Sequence, residues 1–556
     1  MADHGMHDHP PVVLEVPPNF PVEWTGPHDA QIPWEQEAVH FPEPVTPMDY
    51  DLTVSKITEG FNKGTAFYRL PMQQMLRYLN TYAYIANGPA PSPEGPDEEK
   101  LKGMIGHLGD QWNNVWLPEI KKQIGALDAF DLKGADLPAL RAHLDVMEGC
   151  IRQLWSIHFQ LAFPMLMAVS FFEEMHHDLF AEDGQLDAYA LLNEVDNTMV
   201  ESARALWQLS RDALADDVVR QVIEDSETEQ VASKLSTTPA GQAFLAKLND
   251  FLGEYGQRID KLYVSFPAWH EEPGSVIRTL KGYIAQTERD LDAELTAITA
   301  RRESAIADAR ARLVGYPQPV VGEFEFLLGA AQQARFLKEE HTAWLDFPAT
   351  YYARQVVIEL GRRLQTAGVL DSADDVFYLY MEELRATLDA SPMPNRRELV
   401  AGRRANEAHF GALTAPPRLG ILPPGPPPDN PVIRAVMKVF GAPPPVSDNP
   451  SVLLGLGGSA GVVRGPAKVL RSLAEADKLV VGDILVTATT TPPWTPLFAN
   501  IAGVVTDAGG ILSHPAVVAR EYGIPAVVGT GRATSAIVDG QIIEVDGSTG
   551  SVRIIE

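Results

Sequence analysis

The chain has 556 residues, 45% of them apolar and 21% charged, a globular composition that excludes a disordered, collagenous or fibrous protein. Its formal charge of −29 repels phosphate backbones and anionic lipid, so neither nucleic acid nor a membrane is an expected partner. The single cysteine, Cys150, excludes a disulfide framework, an iron–sulfur cluster and a cysteine-based zinc site, and nothing contradicts a reducing cytoplasm.

Met1 to Pro11 carries His4, His7 and His9 but no basic segment followed by an apolar core, so it reads as a polar terminus rather than a signal peptide. Residues 1–40 are taken as an N-terminal extension and residues 41–415 as a helical domain, because apolar residues recur at helical spacing from about Asp49 to Phe410. Leu154 to Phe172 is nearly all apolar. It contains His158, Gln160 and Pro164 and is closed by Arg152 and Glu173, which predicts a buried helix rather than a membrane span. Ile277, Leu280, Ile284, Leu291, Leu295, Ile298, Ile306 and Leu313 predict one long helix with one buried stripe. Asp371 and Ser372 are candidate N-caps for a helix holding Val376, Leu379, Tyr380 and Leu384.

Residues 416–450 contain twelve prolines, which predicts an extended polyproline linker without a helix or central strand. The sequence leaves open whether that linker swings or lies flat. From Ser451, short β-branched runs alternate with Gly and Pro, and Ile537 to Ile555 reads as strands joined at Asp539-Gly540 and Asp546-Gly547. Residues 451–556 therefore form a compact α/β domain. Gly455-x-Gly457-Gly458-x-x-Gly461 imitates a dinucleotide fingerprint, but it leads into a strand and no helix follows.

Within that domain, Thr506-Asp507-Ala508-Gly509-Gly510-Ile511-Leu512-Ser513-His514-Pro515-Ala516 follows a strand, turns through two glycines and starts a helix. Ser513 suits a cap and Pro515 the first turn. His514 then lies at the helix's positive end, beside backbone N–H groups that can approach an anion. Neutral imidazole there is a competent nucleophile for a phosphoryl group.

These residues resemble the phosphohistidine, or swivelling, domain of the phosphoenolpyruvate-utilising enzyme family. The resemblance rests on Thr506, Gly509-Gly510, Ser513-His514, Ala516, Arg520 and Gly523-Ile524-Pro525-Ala526, with Thr491-Pro492-Pro493-Trp494-Thr495-Pro496-Leu497-Phe498 upstream. It implies that His514 is the phosphorylated residue, served by Thr506, Gly509, Gly510, Ser513 and Arg520. The order of helical domain, linker and histidine domain is similar to rifampicin phosphotransferases, and Phe41-Pro42-Glu43-Pro44-Val45-Thr46-Pro47-Met48 looks like the opening of their acceptor domain. Asp375-Val376-Phe377-Tyr378-Leu379 through Glu383-Leu384 matches a later motif. The implied fold is multidomain: a large, mainly α-helical acceptor-binding domain plus a C-terminal α/β phosphohistidine swivelling domain.

About 40 residues precede the acceptor-domain motif, which leaves no room for an ATP-grasp domain, and no phosphoenolpyruvate-binding barrel follows His514. The arrangement resembles one subunit of two-component phosphotransferases acting on phenols, including hydroxyacetophenone and acetovanillone types. That resemblance implies a separate ATP-grasp subunit that binds ATP and Mg²⁺ and loads His514, leaving AMP and phosphate. Phospho-His514 would then serve a small phenolic substrate, and no cofactor would be held tightly by this chain. The alternatives are phosphorylation of an aliphatic alcohol before elimination, and a non-catalytic regulatory chain.

An acceptor pocket needs an apolar slot, a base and a cation. Met165, Phe172, Glu173, His176 and His177 supply slot and base candidates on one helical stretch, with His270-Glu271-Glu272 as a further one. Glu173 and His176 have the Glu-x-x-His spacing of a di-metal bundle, but such a bundle needs two of these motifs on separate helices and two more carboxylates, and no metal site is expected. Arg335, Lys338 and His341 lie in a segment similar to the acceptor-domain helix whose basic residues contact phosphate. Thr342 stands where a second cation is usual, and Arg354 is a further cation candidate.

Overall fold

The computed structural model describes residues 12–90, 95–184, 187–193, 196–422, 431–441, 447, 449–471, 473–490 and 492–555. His4, His7, His9, Thr491 and the runs Pro426–Pro428 and Pro443–Pro445 lie outside the described residues.

Eight helices build the surroundings of the site: α1 (Leu137–Leu179), α2 (Thr198–Leu214), α3 (Gly274–Ile284), α4 (Leu291–Arg312), α5 (Gln318–His341), α6 (Phe347–Thr366), α7 (Pro431–Phe440) and α8 (His514–Tyr522). The axis of the helical domain is α1. Asp136 caps it by accepting from the Ala139 N–H, Pro138 occupies its first turn, and Leu140, Leu144, Ile151, Leu154, Leu161 and Phe172 bury its apolar stripe. Among the described residues it is the one helix long and apolar enough to cross a membrane, and 72% of that window is buried inside the protein. The helices α5 and α6 pack on it.

The helical reading of Asp49 to Phe410 is incomplete. Strands β1 (Trp34–Gln36), β2 (Met72–Leu79), β3 (Tyr82–Pro89) and β4 (Arg418–Leu419) form an antiparallel sheet in the order β2-β3-β1-β4. Asn80 and Thr81, with φ of 50° and 70°, make the two-residue turn between β2 and β3. Residues assigned to an N-terminal extension are thus integral: Trp34 is fully buried in this sheet, and Val12–Val13 pair with Ile421–Leu422. The single helix expected from Ile277 to Leu313 is two, because Asp290 caps a new helix by accepting from the Ala293 N–H. Ser372 does cap, but it starts a short 3₁₀ turn (Ala373–Tyr378), and a separate helix begins at Met381.

The C-terminal domain holds β5 (Val452–Leu454), β6 (Leu456–Ser459), β7 (Val462–Val469), β8 (Ile484–Thr487), β9 (Gly503–Thr506), β10 (Ala526–Val528), β11 (Ile542–Asp546) and β12 (Ser551–Ile554). They form one sheet in the order β5-β12-β11-β7-β8-β9-β10-β6, in which β7, β8, β9 and β10 run parallel. No helix follows the Gly455–Gly461 run, as expected; it spans β6 and leads into β7.

The expectation that residues 416–450 contain no helix is overturned. Pro431 occupies the first position of α7, where a missing N–H costs nothing, and nine residues without proline follow it. Ala435 of α7 is buried in the helical-domain core, Arg434 pairs with Glu174 at 3.1 Å, and Lys438 donates to Ser170 Oγ at 3.0 Å. Ile511 and Leu512 of the histidine loop enter the same core.

Candidate active site

Strand β9 delivers the chain into the turn that precedes α8. Gly509 there has φ of +106°, a backbone that strains any side chain, and a Cβ would fall 2.7 Å from Ser513 Oγ. Ser513 occupies the N-cap position of α8 with extended dihedrals. Its hydroxyl does not cap; it donates to the Gly510 carbonyl at 2.6 Å. Thr506 is fully buried and anchors the turn through the Ala508 carbonyl (2.9 Å), without touching His514.

Both nitrogens of His514 are held by hydroxyls: Nδ1 lies 2.8 Å from Thr490 Oγ1 and Nε2 3.1 Å from Thr495 Oγ1. A hydroxyl can donate or accept, so this pair suits a neutral ring, with one nitrogen protonated and the other carrying a lone pair. Burial, aided by the nearby Lys338 charge, pushes His514 down to about 3. The ring is therefore uncharged at neutral pH, the state a nucleophilic imidazole requires. Thr495 belongs to the run quoted for the family resemblance, but Thr490 precedes it, and nothing in the spacing marks a hydroxyl 24 residues upstream as a ring partner.

Arg520 braces this loop. Its guanidinium donates to the Gly458 and Ile511 carbonyls, each at 2.7 Å, and lies 4.3 Å from the Tyr189 ring centroid. Burial lowers it to about 10, so it remains a cation.

The helical domain faces this loop with α1, α5 and α7. Lys338 Nζ donates to the Leu512 carbonyl at 3.2 Å, and burial together with the Arg335 charge lowers it to about 8. Arg335 pairs with Glu521 at 3.3 Å, and burial raises that carboxyl to about 7. Glu173 accepts from the Tyr189 hydroxyl at 2.6 Å and pairs with Lys438 at 2.8 Å. The N–H groups of Gly510 and Leu512 donate to the Val439 and Lys438 carbonyls at 2.8 and 2.6 Å. Here these two amides of the glycine turn face the end of α7, not an anion.

His514, Lys338 and Glu521 open onto a cavity of about 890 Å³ between α2, α3, α4, α5 and α8. Its apolar wall includes Leu206, Phe251, Phe347 and Phe498, and Arg289 and Glu339 also line it. This is not the slot expected between Met165 and Asp178. Met165 and Phe172 are core residues: they are 5% and 0% exposed, and the Phe172 ring packs 5.7 Å from Phe324. Phe172→Ala is accordingly expected to cost about 3–5 kcal/mol of stability by thermal or denaturant unfolding, as a large buried truncation does. A loss of acceptor affinity at unchanged stability would contradict this placement.

Glu173, His176 and His177 line a second, smaller cavity of about 340 Å³, with His177 exposed and His176 3.9 Å from Asp183; His514 does not reach it. Arg354 is engaged by Glu271 (2.9 Å) and the Ser265 carbonyl (2.8 Å), which makes that pair a brace. His341 is buried at the end of α5 beside Asp346. Of the residues expected at the acceptor site, then, Arg335 and Lys338 stand against the histidine loop. Glu521, Thr490 and Thr495 join them.

Two segments of the chain match known protein families. Residues 479–550 match the PEP-utilising enzyme mobile domain, and residues 158–339 match the rifampicin phosphotransferase fourth domain. The first spans the His514 loop and the second carries Arg335 and Lys338. The chain is 38% identical over 561 residues to chondramide synthase cmdD of Chondromyces crocatus, covering 98% of this chain and 14% of that protein. It is 27% identical over 520 residues to the uncharacterized phosphotransferase YvkC of Bacillus subtilis (92% and 60% covered). It is 31% identical over 357 residues to the rifampicin phosphotransferase of Streptomyces sviceus (61% and 38% covered). The matched region thus spans less than two thirds of each of these relatives.

Proposed function

We propose that this chain carries a phosphoryl group on His514 and transfers it to the hydroxyl of an acceptor bound in the 890 Å³ cavity. The observation that carries this reading is the ring of His514 on the wall of that cavity, uncharged and oriented by Thr490 and Thr495. In the proposed scheme an ATP-grasp protein with Mg²⁺ loads the ring from ATP, leaving AMP and phosphate. The acceptor hydroxyl then attacks phosphorus as the N–P bond breaks, and its proton passes to Glu521, whose carboxyl sits near 7. Lys338 offsets charge on the phosphoryl oxygens.

The narrower reading of the acceptor is phenolic. A cavity of this volume and lining also accommodates multi-ring hydroxyl compounds, since pockets of roughly 300–1,000 Å³ hold drug-sized ligands. Loading is testable without the partner. Phosphoramidate, a chemical donor to histidine, is expected to leave one acid-labile, base-stable phosphoryl group per chain, mapped to His514 by mass spectrometry. Label spread over other histidines, with none at His514, would refute the carrier role.

The titration of Lys338 gives a further expectation. Its cation exists below its pKa, so acceptor transfer is expected to decline as pH rises through and beyond about 8. Lys338→Arg, permanently charged, is expected to abolish that decline in single-turnover pH profiles. An unchanged profile would remove Lys338 from the transfer step.

A further inference from the structure

A cluster that plays no part in this scheme lies where α1 meets the junction of α5 and α6. The junction is a five-residue π-helical turn, Thr342–Asp346, a geometry often found at functional sites. It aims Asp346 back at His341 of α5 and at His158 of α1. One ligand-type atom from each of the three residues lies within 4.8 Å of the other two. His158 Nδ1 is 2.9 Å from Asp346 Oδ1, and His341 Nε2 is 3.6 Å from Asp346 Oδ2.

The arrangement around His341 requires a positive charge or its equivalent. Its Nδ1 lies 2.9 Å from the Leu337 carbonyl, which only accepts, so the hydrogen of a neutral ring sits on Nδ1 and the lone pair on Nε2. That lone pair faces a carboxylate oxygen at a distance too long for a hydrogen bond, with both side chains buried. Two acceptors confront each other. A shared cation resolves the conflict: ligands about 2.0–2.2 Å from one ion, at about 110–120° to each other, are separated by about this distance. An Nδ1–H donated to a main-chain carbonyl is also how metal-bound histidines are commonly oriented.

We infer that His158, His341 and Asp346 form a binding site for a first-row divalent metal ion of the zinc class. Two imidazoles and one carboxylate favour such an ion over Mg²⁺ or Ca²⁺. Three protein ligands leave coordination positions open, and the His158 side chain, 17% exposed against 8% for Asp346, marks the side of entry. The site is independent of the phosphohistidine reading.

The test uses full-length chain in which His4, His7 and His9 are replaced by serine, so that terminal histidines do not compete for metal. Equilibrium dialysis against Zn²⁺ is expected to give one tight equivalent, and Co²⁺ loading is expected to give visible d–d absorption from a low-coordinate site. His341→Gln and Asp346→Asn are expected to abolish that equivalent. His158→Gln, at the most exposed ligand, is expected to weaken it at least tenfold while far-UV circular dichroism stays unchanged. Absence of a tight equivalent in the parent protein overturns the inference, as does its full retention in His158→Gln and His341→Gln.

Discussion

Replacing His514 by alanine is expected to eliminate acceptor phosphorylation, with a loss of at least about 10⁴-fold in product formation, the scale seen when a covalent nucleophile is removed. The fold should survive. His514 starts α8 beside Pro515, and its own contacts are two threonine hydroxyls and the edge of Phe498. Losing them leaves Thr490 and Thr495 free to rotate toward other partners, a cost of about 0.5–1.5 kcal/mol each. The measurement is product formed from ATP, Mg²⁺, an ATP-grasp partner and a panel of hydroxylated aromatics, alongside a melting curve of the variant. Product formation at the parental rate would mean that the phosphoryl group travels by another route.

The second large effect is expected from a single added methyl group. A Cβ at Gly510 would fall 2.4 Å from the Lys438 carbonyl oxygen and 2.7 Å from that of Met437, and its nearest neighbours all belong to the backbone of α7. Gly510 is not among the positive-φ glycines, so alanine is tolerated by its own turn and excluded by the partner helix. Gly510→Ala therefore acts on the seating of the histidine loop against α7. Overpacking of this kind costs about 1–3 kcal/mol, which predicts acceptor transfer slower by about 10- to 100-fold. Phosphoramidate loading of His514 should stay within about twofold of the parent, because the clash exists only when the loop meets α7. Single-turnover measurement of both half-reactions separates the two. Equal slowing of loading and transfer would show that the substitution damages the loop itself.

The histidine end of the site was legible because its signal is local. A strand, two glycines, a serine, a histidine and a proline in that order specify the backbone course, and the loop stands where that order placed it. The cavity beside it was not, because its wall is assembled from α2, α3, α4, α5 and α8, whose apolar stripes look alike whether they face a cavity or a core. Met165 and Phe172 have the composition of a slot, yet Phe324 fills the space beside Phe172. The hairpin of Met72–Leu79 and Tyr82–Pro89 escaped notice for a related reason. Met72–Leu79 contains no β-branched residue and becomes a strand through pairing with Tyr82–Pro89, which pairs in turn with Trp34–Gln36. In the linker, proline content averaged over residues 416–450 concealed eleven consecutive residues without one, and nine of these form most of α7.

The seating of α7 on α1 gives the chain two tether lengths. Counted from Gly441 at the end of α7, ten residue steps lead to Ser451, a contour length of about 35 Å. Counted from Leu422, with α7 as helix, the contour length to Ser451 is about 80 Å. In the proposed scheme, the ion pairs of Arg434 and Lys438 with Glu174 and Glu173 would hold the chain to the shorter of these lengths. If His514 is loaded by a partner whose site lies farther off than the shorter length allows, those two pairs must break before loading.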